Sequence, residues 1–426
     1  MKGIADEPQY SVGLLEAGTA LCDVINQHID EQTLSEKNAF FVADLGVVMR
    51  QHVRWRTHMP QIRPYYPVRC NSSPAVIEVL AVLGAGFICT NKSELELVQS
   101  HGVPSEDIIY SGICKQVSQI KYAAKNGIDL LVCDNEAELR KISRCHPNAK
   151  LLLQVSTEAS IQGDEMSMAF GCSLKDCRHL LEKAKELGVQ VVGVSACEDD
   201  QVYVHAISDA RCVFDMGVSN INKAVMSMAD LYFPPSTGVS IIGEPGSFFV
   251  SSAFTLVVNV ISKEVVARDR QDQAHDPSPN DEPEFQYHLS EGVYGPFASK
   301  LSETLIATPS VYKVILKDSD APLFSCSLWG PSGDDLDQVV EHCLLPELNA
   351  GDWLLFTHAG GLQYGPSTVS KQTEIQSWTL TRDSFPSTRF EMQDIGVAHE
   401  ATLKNFSLVP YFLAYCQTAA GRSVPA

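Results

Sequence analysis

From Phe40 to Gly246, short apolar runs alternate with segments whose apolar residues recur at helical spacing. The helical segments include SELELVQSHG and EAELRKISRCH, and the apolar runs are FFVADL, YYPVRC, GFICTN, IIYSG, LLVCD, LLLQVS, VVGVSA and SIIGEPG. Repeated strand-helix units of this length give a parallel sheet with crossover helices. Strands that are apolar almost throughout are typical of a sheet covered on both faces. The pattern therefore predicts a (β/α)8-type barrel with functional residues just after each strand.

The pattern changes after SSAFTLVVNVIS, and the runs SVYKVILK and DWLLFTHA predict antiparallel strands of a second, β-domain. Residues 268–284 are charged, contain proline and have almost no apolar side chains, which predicts a mobile surface loop. The expected organisation is a segment 1–39 that contributes to the β-domain, a barrel domain at 40–250, a β-domain at 251–415 and a disordered tail at 416–426.

Composition narrows the classes of function. The formal net charge of -20 argues against nucleic acid as the main partner, because phosphate binding needs a basic face. The 13 cysteines include no C-x-x-C pair, so neither a zinc site nor a disulfide framework is indicated. We expect no signal peptide, because the N-terminal MKGIADEPQY is acidic and lacks an apolar h-region. We expect no membrane span, because no apolar run approaches the ~20 residues that span a bilayer. A cytoplasmic location is the resulting expectation.

Eight blocks of sequence resemble one family. They are FFVADLG, RPYYPVRCNSSP, CKQVSQIKYAAKNGI, SDARCVFDMG, GEPGSFFV, EGVYGPF, SLWGPSGDDLD and LPELNAGDWLLF, and they look like ornithine decarboxylase and its non-catalytic relatives, the antizyme inhibitors. The resemblance implies a pyridoxal-phosphate barrel of the alanine-racemase-like (TIM) type followed by a β-domain. It also implies a head-to-tail dimer with the active site shared between subunits.

Arg69 stands where the active family has the lysine that holds the cofactor as a Schiff base. An arginine at the inner end of a strand is expensive to bury. A Schiff base needs an amine that can become neutral, and guanidinium stays charged. Non-covalent cofactor binding remains open on this substitution alone.

The other positions that the resemblance assigns to the active site mostly agree with a loss of cofactor binding and catalysis. An acidic position has become Ile88, and the family's arginine after the fifth barrel strand is Gln154. Cys197 replaces the imidazole that stacks on the cofactor, and Asp199 and Asp200 follow where phosphate-binding groups are expected. Further replacements are Ser247 for a phosphate-binding arginine, Gly333 for the general-acid cysteine and Leu362 for a phosphate-contacting tyrosine.

The phosphate-binding glycine run of the family is absent after SDARCVFDMG. We therefore expect the barrel to lack its seventh strand, while SIIGEPG keeps the eighth place. The retained positions are Glu94, Glu244 and Asp334. By resemblance Glu244 pairs with the cofactor's pyridine nitrogen and Asp334 with the substrate amine, but we expect both to persist as supporting or surface carboxylates. No bound cofactor is expected.

The resemblance implies antizyme as the partner. The segment that the family uses is KYAAKNGIDLLVCDNEAELRKISR, and the partner-binding candidates are Lys121, Lys125, Glu138, Arg140, Lys141 and Arg144. A catalytically silent, antizyme-binding regulator of polyamine synthesis is the preferred interpretation. Two alternatives stay open: a pyridoxal-phosphate decarboxylase with altered or residual activity, and a non-functional shortened paralogue whose gapped barrel is unstable. A weak homodimer or a heterodimer with family members is also expected.

Overall fold

A computed structural model describes residues 12–15, 21–32, 37–112, 114–156, 171–172, 174–197, 236, 238, 240–266, 283–301, 308–312, 322–361 and 375–381. These residues divide into two compact units, one within Gln51–Gly246 and the other built from residues before Gln51 and after Gly246. The expectations for residues 199 and 200, for the missing seventh strand, for Leu362 and for the tail 416–426 lie outside the described residues, as does nearly all of the predicted loop 268–284.

The first half of the chain alternates strands and helices. In chain order the elements are β1 (Val12–Leu15), α1 (Leu21–Glu31), β2 (Phe40–Asp44), α2 (Leu45–His58), β3 (Ile62–Pro67), α3 (Pro74–Val82), β4 (Gly86–Cys89), α4 (Lys92–Ser100), β5 (Ile108–Tyr110), α5 (Val117–Lys125), β6 (Leu130–Cys133), α6 (Glu136–Cys145), β7 (Lys150–Ser156), α7 (Leu174–Glu186), β8 (Gln190–Cys197) and β9 (Ile241–Gly243).

The second half is built mainly from strands. Its elements are α8 (Gly246–Val250), β10 (Phe254–Val266), β11 (Glu284–Leu289), β12 (Ser310–Tyr312), β13 (Leu323–Trp329), β14 (Gln338–Pro346), β15 (Trp353–Thr357) and β16 (Ile375–Thr381).

The unit within Gln51–Gly246 contains a curled parallel sheet. Its described strands lie in the order β8-β7-β6-β5-β4-β3-β9, and every pairing is parallel. Strands β3 to β6 are buried on both faces at almost every position, which explains their near-continuous apolar runs, whereas β8 leaves Val192 and Val194 exposed. One face carries a cluster of Tyr65, Ile88, Ile109 and Val132. This half-barrel confirms the predicted barrel-type fold class.

The other unit contains a mixed, mostly antiparallel sheet. Strand β10 pairs antiparallel with β2, β11 and β15, and β13 pairs antiparallel with β14. Three pairings are parallel: β1 with β16, β16 with β2, and β11 with β13. The second domain is therefore a β-domain as expected, with a mixed rather than purely antiparallel sheet.

The interpretation of FFVADL as a barrel strand is wrong. Strand β2 lies in the mixed sheet between β16 and β10. Its Phe40 and Val42 are fully buried and pack in one cluster with Val24, Val257 and Trp353. A short apolar run has the same appearance in either type of sheet, so hydrophobic pattern alone could not assign it.

No helix in the described part of the chain combines the length and the apolar character needed to cross a bilayer.

Candidate functional site

Arg69 lies in a one-turn 3-10 helix, Val68–Cys70, that directly follows β3. The sequence places it correctly at the carboxyl end of the strand, but its side chain is exposed rather than buried. Tyr66 stabilises this turn, because its hydroxyl donates to the backbone oxygen of Asn71 at 3.0 Å. Gly246 approaches the same turn so closely that a β-carbon there would lie 2.4 Å from the sulfur of Cys70. This close approach explains why the last position of the GEPG block, Gly246, is a glycine.

Two further positions that the resemblance assigns to the active site lie within strands of the parallel sheet, Ile88 in β4 and Gln154 in β7. Ile88 is 4% exposed and packs in the apolar cluster of the parallel sheet. Gln154 is buried near the end of β7, and its backbone oxygen accepts from the nitrogen of Cys172 at 2.9 Å and from its thiol at 3.2 Å. Burial raises the pKa of Cys172 to about 12, so its thiol stays protonated and unreactive at neutral pH.

Glu94 closes the amino terminus of α4. Its carboxylate accepts from the backbone nitrogen of Thr90 at 2.6 Å and from the side-chain nitrogen of Asn91 at 2.7 Å. In return, the backbone nitrogen of Glu94 donates to the Asn91 side chain at 3.0 Å. This reciprocal arrangement satisfies donors at the start of the helix. The carboxylate is thus engaged locally within its own helix terminus.

Three other described positions that the resemblance assigns to the active site are Glu244, Ser247 and Cys197. Glu244 is exposed just after β9, and Ser247 is a half-buried residue of α8. Cys197 ends β8, and its side chain lies outside the described part of the structure. Within the described residues, no group of three histidine, cysteine or acidic side chains is placed to hold a metal ion.

Gly333 and Asp334 belong to an exposed turn between β13 and β14. Gly333 has a φ of 69°, a conformation that glycine adopts most easily. Asp334 accepts from the backbone nitrogen of Leu336 at 3.0 Å and from the hydroxyl of Tyr294 at 2.5 Å. These bonds, the one from Leu336 first, hold the pKa of Asp334 below its usual value. Its carboxylate is therefore committed to the turn.

Asp337 organises the same turn, a role that the sequence did not reveal. The residue is 1% exposed, and its carboxylate accepts from the backbone nitrogens of Val293 and Ser332 at 2.7 and 3.0 Å. It also accepts from the Ser332 hydroxyl at 2.6 Å. Asp337 therefore connects two of the blocks that carry the family resemblance, EGVYGPF and SLWGPSGDDLD.

Helices α5 and α6 carry the predicted partner-binding residues. Two exposed lysines lie one helical turn apart on α5 and two exposed arginines lie one turn apart on α6, so each pair shares a helix face. We call this set the α5–α6 basic surface: Lys121, Lys125, Arg140 and Arg144. Within it, Arg140 contacts Glu136 at 2.5 Å, and Glu136 also lies 2.9 Å from the imidazole of His179 on α7. Those two contacts, His179 first, lower the pKa of Glu136.

Glu138, the acidic residue among the partner-binding candidates, is buried and lies outside that surface, so its role as a partner contact stays a prediction. The residue is 4% exposed, and its carboxylate forms an ion pair with Lys141. Asn135 caps α6 by accepting from the backbone nitrogen of Glu138 at 2.9 Å, which fixes the first turn with the carboxylate directed inward. Lys141 is itself partly buried, with 31% of its side chain exposed.

Lys115 is the second residue that sequence reasoning missed. It precedes α5, is 3% exposed, and donates from its Nζ to the backbone oxygens of Gly112 and Val132 at 2.6 and 2.5 Å. Its own backbone oxygen accepts from the Nζ of Lys141 at 2.8 Å. Nothing in the local pattern around CKQVSQ distinguishes this lysine from an exposed one.

Known proteins with similar sequences resolve the family. The profile described as pyridoxal-dependent decarboxylase, pyridoxal binding domain, matches residues 45–222. An antizyme inhibitor 1 from Pongo abelii is 50% identical over 438 residues, covering 96% of this chain and 97% of its own. The chain belongs to the ornithine decarboxylase and antizyme inhibitor family. An ornithine decarboxylase from Rattus norvegicus is 41% identical over 392 residues and covers 84% of each chain.

Solved structures support the fold of this family member. The arginine decarboxylase of Paramecium bursaria Chlorella virus, bound to agmatine, superposes with a TM-score of 0.67 over 85% of this chain and 100% of its own, at 24% identity. The resemblance drawn from the eight sequence blocks is thereby confirmed for family and fold. The matching profile is described as a pyridoxal-dependent decarboxylase domain, so pyridoxal phosphate is the cofactor of the family.

Proposed function

We propose that this protein is a catalytically silent member of its family that binds antizyme through the α5–α6 basic surface. The observation that carries the proposal is the set of exposed cations on two neighbouring helices of a chain whose formal net charge is -20. The proposal draws further support from the 50% identity to a protein named antizyme inhibitor 1.

The residues at the carboxyl ends of the strands do not fit pyridoxal phosphate. Position 69 offers an exposed guanidinium that cannot form a Schiff base. Ile88 fills its place with apolar contacts, and Glu94 is held by the α4 terminus. Lys115, a buried lysine near these strand ends, already donates to two backbone oxygens. We therefore propose that neither the cofactor nor decarboxylation belongs to this protein.

The α5–α6 basic surface suits a partner with an acidic face. Exposed charges at such a surface raise the rate of association more than they raise affinity, and salt screens them. The four cations lie on helices that pack beside each other, so one acidic segment of antizyme would meet both pairs.

Binding kinetics of the full-length protein with purified antizyme test this proposal. We expect the Lys125→Glu variant to associate more slowly than wild type, with the largest difference at low salt. Lys185→Glu is the matched control, because Lys185 is an exposed cation on α7 and the change in net charge is the same. Folded wild-type protein that does not bind antizyme at micromolar concentration would remove the proposed function. Decarboxylase activity in the same preparation would favour the enzymatic alternative.

A further inference from the structure

The ammonium group of Lys115 ties together the ends of two neighbouring strands. It donates to Gly112, which follows β5, and to Val132 in β6, at 2.6 and 2.5 Å. It also lies 5.6 Å from the centroid of the Tyr110 ring. Charge-assisted hydrogen bonds are roughly twice as strong as neutral ones, so this contact holds the loop before α5 firmly against β6.

The backbone of the same residue is joined to α6. The Lys115 nitrogen donates to the carboxylate of Glu138 at 3.3 Å, and its carbonyl oxygen accepts from Lys141 at 2.8 Å. Glu138 and Lys141 are paired with each other, which closes the network. The start of α5, the end of β6 and the first turns of α6 are therefore connected through one buried residue.

We propose that Lys115 is a positioning residue that holds α5 and α6 in one fixed arrangement, so that the α5–α6 basic surface is already formed before antizyme binds. The inference rests on the proposed function for the identity of the partner. Lys115 itself, being buried, does not touch the partner. A surface that is ordered in advance loses less conformational entropy on binding, which raises affinity without new contacts.

The chemistry of the site favours a positioning role over simple filling of space. Burial lowers the pKa of Lys115, so the position opposes a charged side chain, yet the two carbonyl oxygens of Gly112 and Val132 take their hydrogen bonds from this donor. The charged side chains facing it are Glu138, Asp134 and Lys141. A methionine has similar length and would fill the volume, but it has no donor for the two carbonyl oxygens.

Hydrogen exchange and antizyme-binding kinetics of Lys115→Met test the inference. We expect faster exchange of the backbone amides in residues 112–118 and 135–141, and antizyme binding weakened about tenfold, the scale of one lost charge-assisted hydrogen bond. The salt dependence of association should stay as in wild type, because the four surface cations remain. Lys115→Arg keeps the charge and donors, and we expect it to restore much of the protection.

Val76→Ala is the control for general destabilisation, because Val76 is fully buried in α3. Its melting temperature should fall without a matching loss of antizyme affinity. Exchange rates in Lys115→Met that equal those of wild type would overturn the inference, and so would a loss of affinity no larger than that of Val76→Ala. If Lys115→Met does not fold, Glu138→Gln weakens the same network and provides the two readouts. Wild-type protein that fails to bind antizyme refutes the proposed function instead, and the exchange data then decide separately whether Lys115 orders the two helices.

Discussion

The carboxylate of Asp337 lies so close to Gly292 that a β-carbon on that glycine would fall 2.0 Å from one of its oxygens. Gly330 is equally close, with a hypothetical β-carbon 2.2 Å from the same oxygen. The two glycines thus leave room for a buried carboxylate that bonds to Val293 and Ser332.

Removing this carboxylate should destabilise the β-domain unit. We expect Asp337→Ala to lower the free energy of unfolding by about 3 kcal/mol, because the buried backbone nitrogen of Val293 and the partly buried one of Ser332 lose their acceptor. Denaturant unfolding measures the loss, and Asp334→Ala is the control, because Asp334 is exposed. Equal stability of the two variants would contradict the role assigned to Asp337.

A double-mutant cycle tests the steric part of the same relationship. Gly292→Ala alone should cost about 2 kcal/mol, because the new methyl group collides with the carboxylate. In the Asp337→Ala background the collision is relieved, so the second substitution should cost much less. Additive effects would show that the glycine is needed for a different reason.

Lys125 and Lys141 should respond differently to charge reversal. Lys125 is exposed, and we expect Lys125→Glu to leave the free energy of unfolding within about 0.5 kcal/mol of wild type. Lys141→Glu places a second carboxylate against buried Glu138 and should cost about 3 kcal/mol. Thermal unfolding of both variants and of Lys141→Met separates loss of the ion pair from repulsion.

The Arg69→Lys substitution should not restore the chemistry of the active family. Lysine at this position supplies the missing amine, but Ile88, Ser247 and Gly333 remain. We expect wild-type protein incubated with pyridoxal phosphate and borohydride to show no adduct in the peptide containing residue 69, and the variant to show no decarboxylation of ornithine. An active ornithine decarboxylase assayed in parallel is the control. Turnover by the single variant would refute the claim that several positions block catalysis.

Buried His52 should make the folded protein less stable in mild acid. Burial, with a smaller effect of Arg56, lowers the pKa of this 1%-exposed histidine from 6.5 to about 4. The unfolded chain therefore takes up a proton near pH 6.5 that the folded chain refuses until about pH 4, so stability falls as pH decreases through this window. Between about pH 7 and pH 5 the loss from this group approaches 2 kcal/mol. His52→Gln should flatten that part of the stability profile, and a profile parallel to wild type would contradict the assignment.

The sequence predicted the fold well where pattern and local chemistry agree. Strands such as GFIC and LLVC lie where the apolar runs indicate, and Arg69 follows its strand directly. The run FFVAD was misassigned because its partner strands, β10 and β16, lie more than 200 residues away along the chain. No local signal in the sequence identifies them.

The candidate site was predicted less completely, for a physical reason. Glutamate and lysine are usually exposed, so nothing in the sequence marks Glu138 and Lys115 as buried. Their burial depends on one another: the two residues are 23 positions apart and meet only when β5, β6 and α6 are packed. The burial of Asp337 was missed for the same reason, because the backbone nitrogen of Val293 that donates to it belongs to a distant block of the sequence.

The capping bonds of Glu94 give this glutamate a structural role that does not depend on catalysis. A stable α4 needs it whatever chemistry the chain performs, because its carboxylate secures the backbone of Thr90 and the side chain of Asn91. A carboxylate at a position that the resemblance assigns to catalysis can thus be kept for folding alone, so its presence in a chain is no sign of activity.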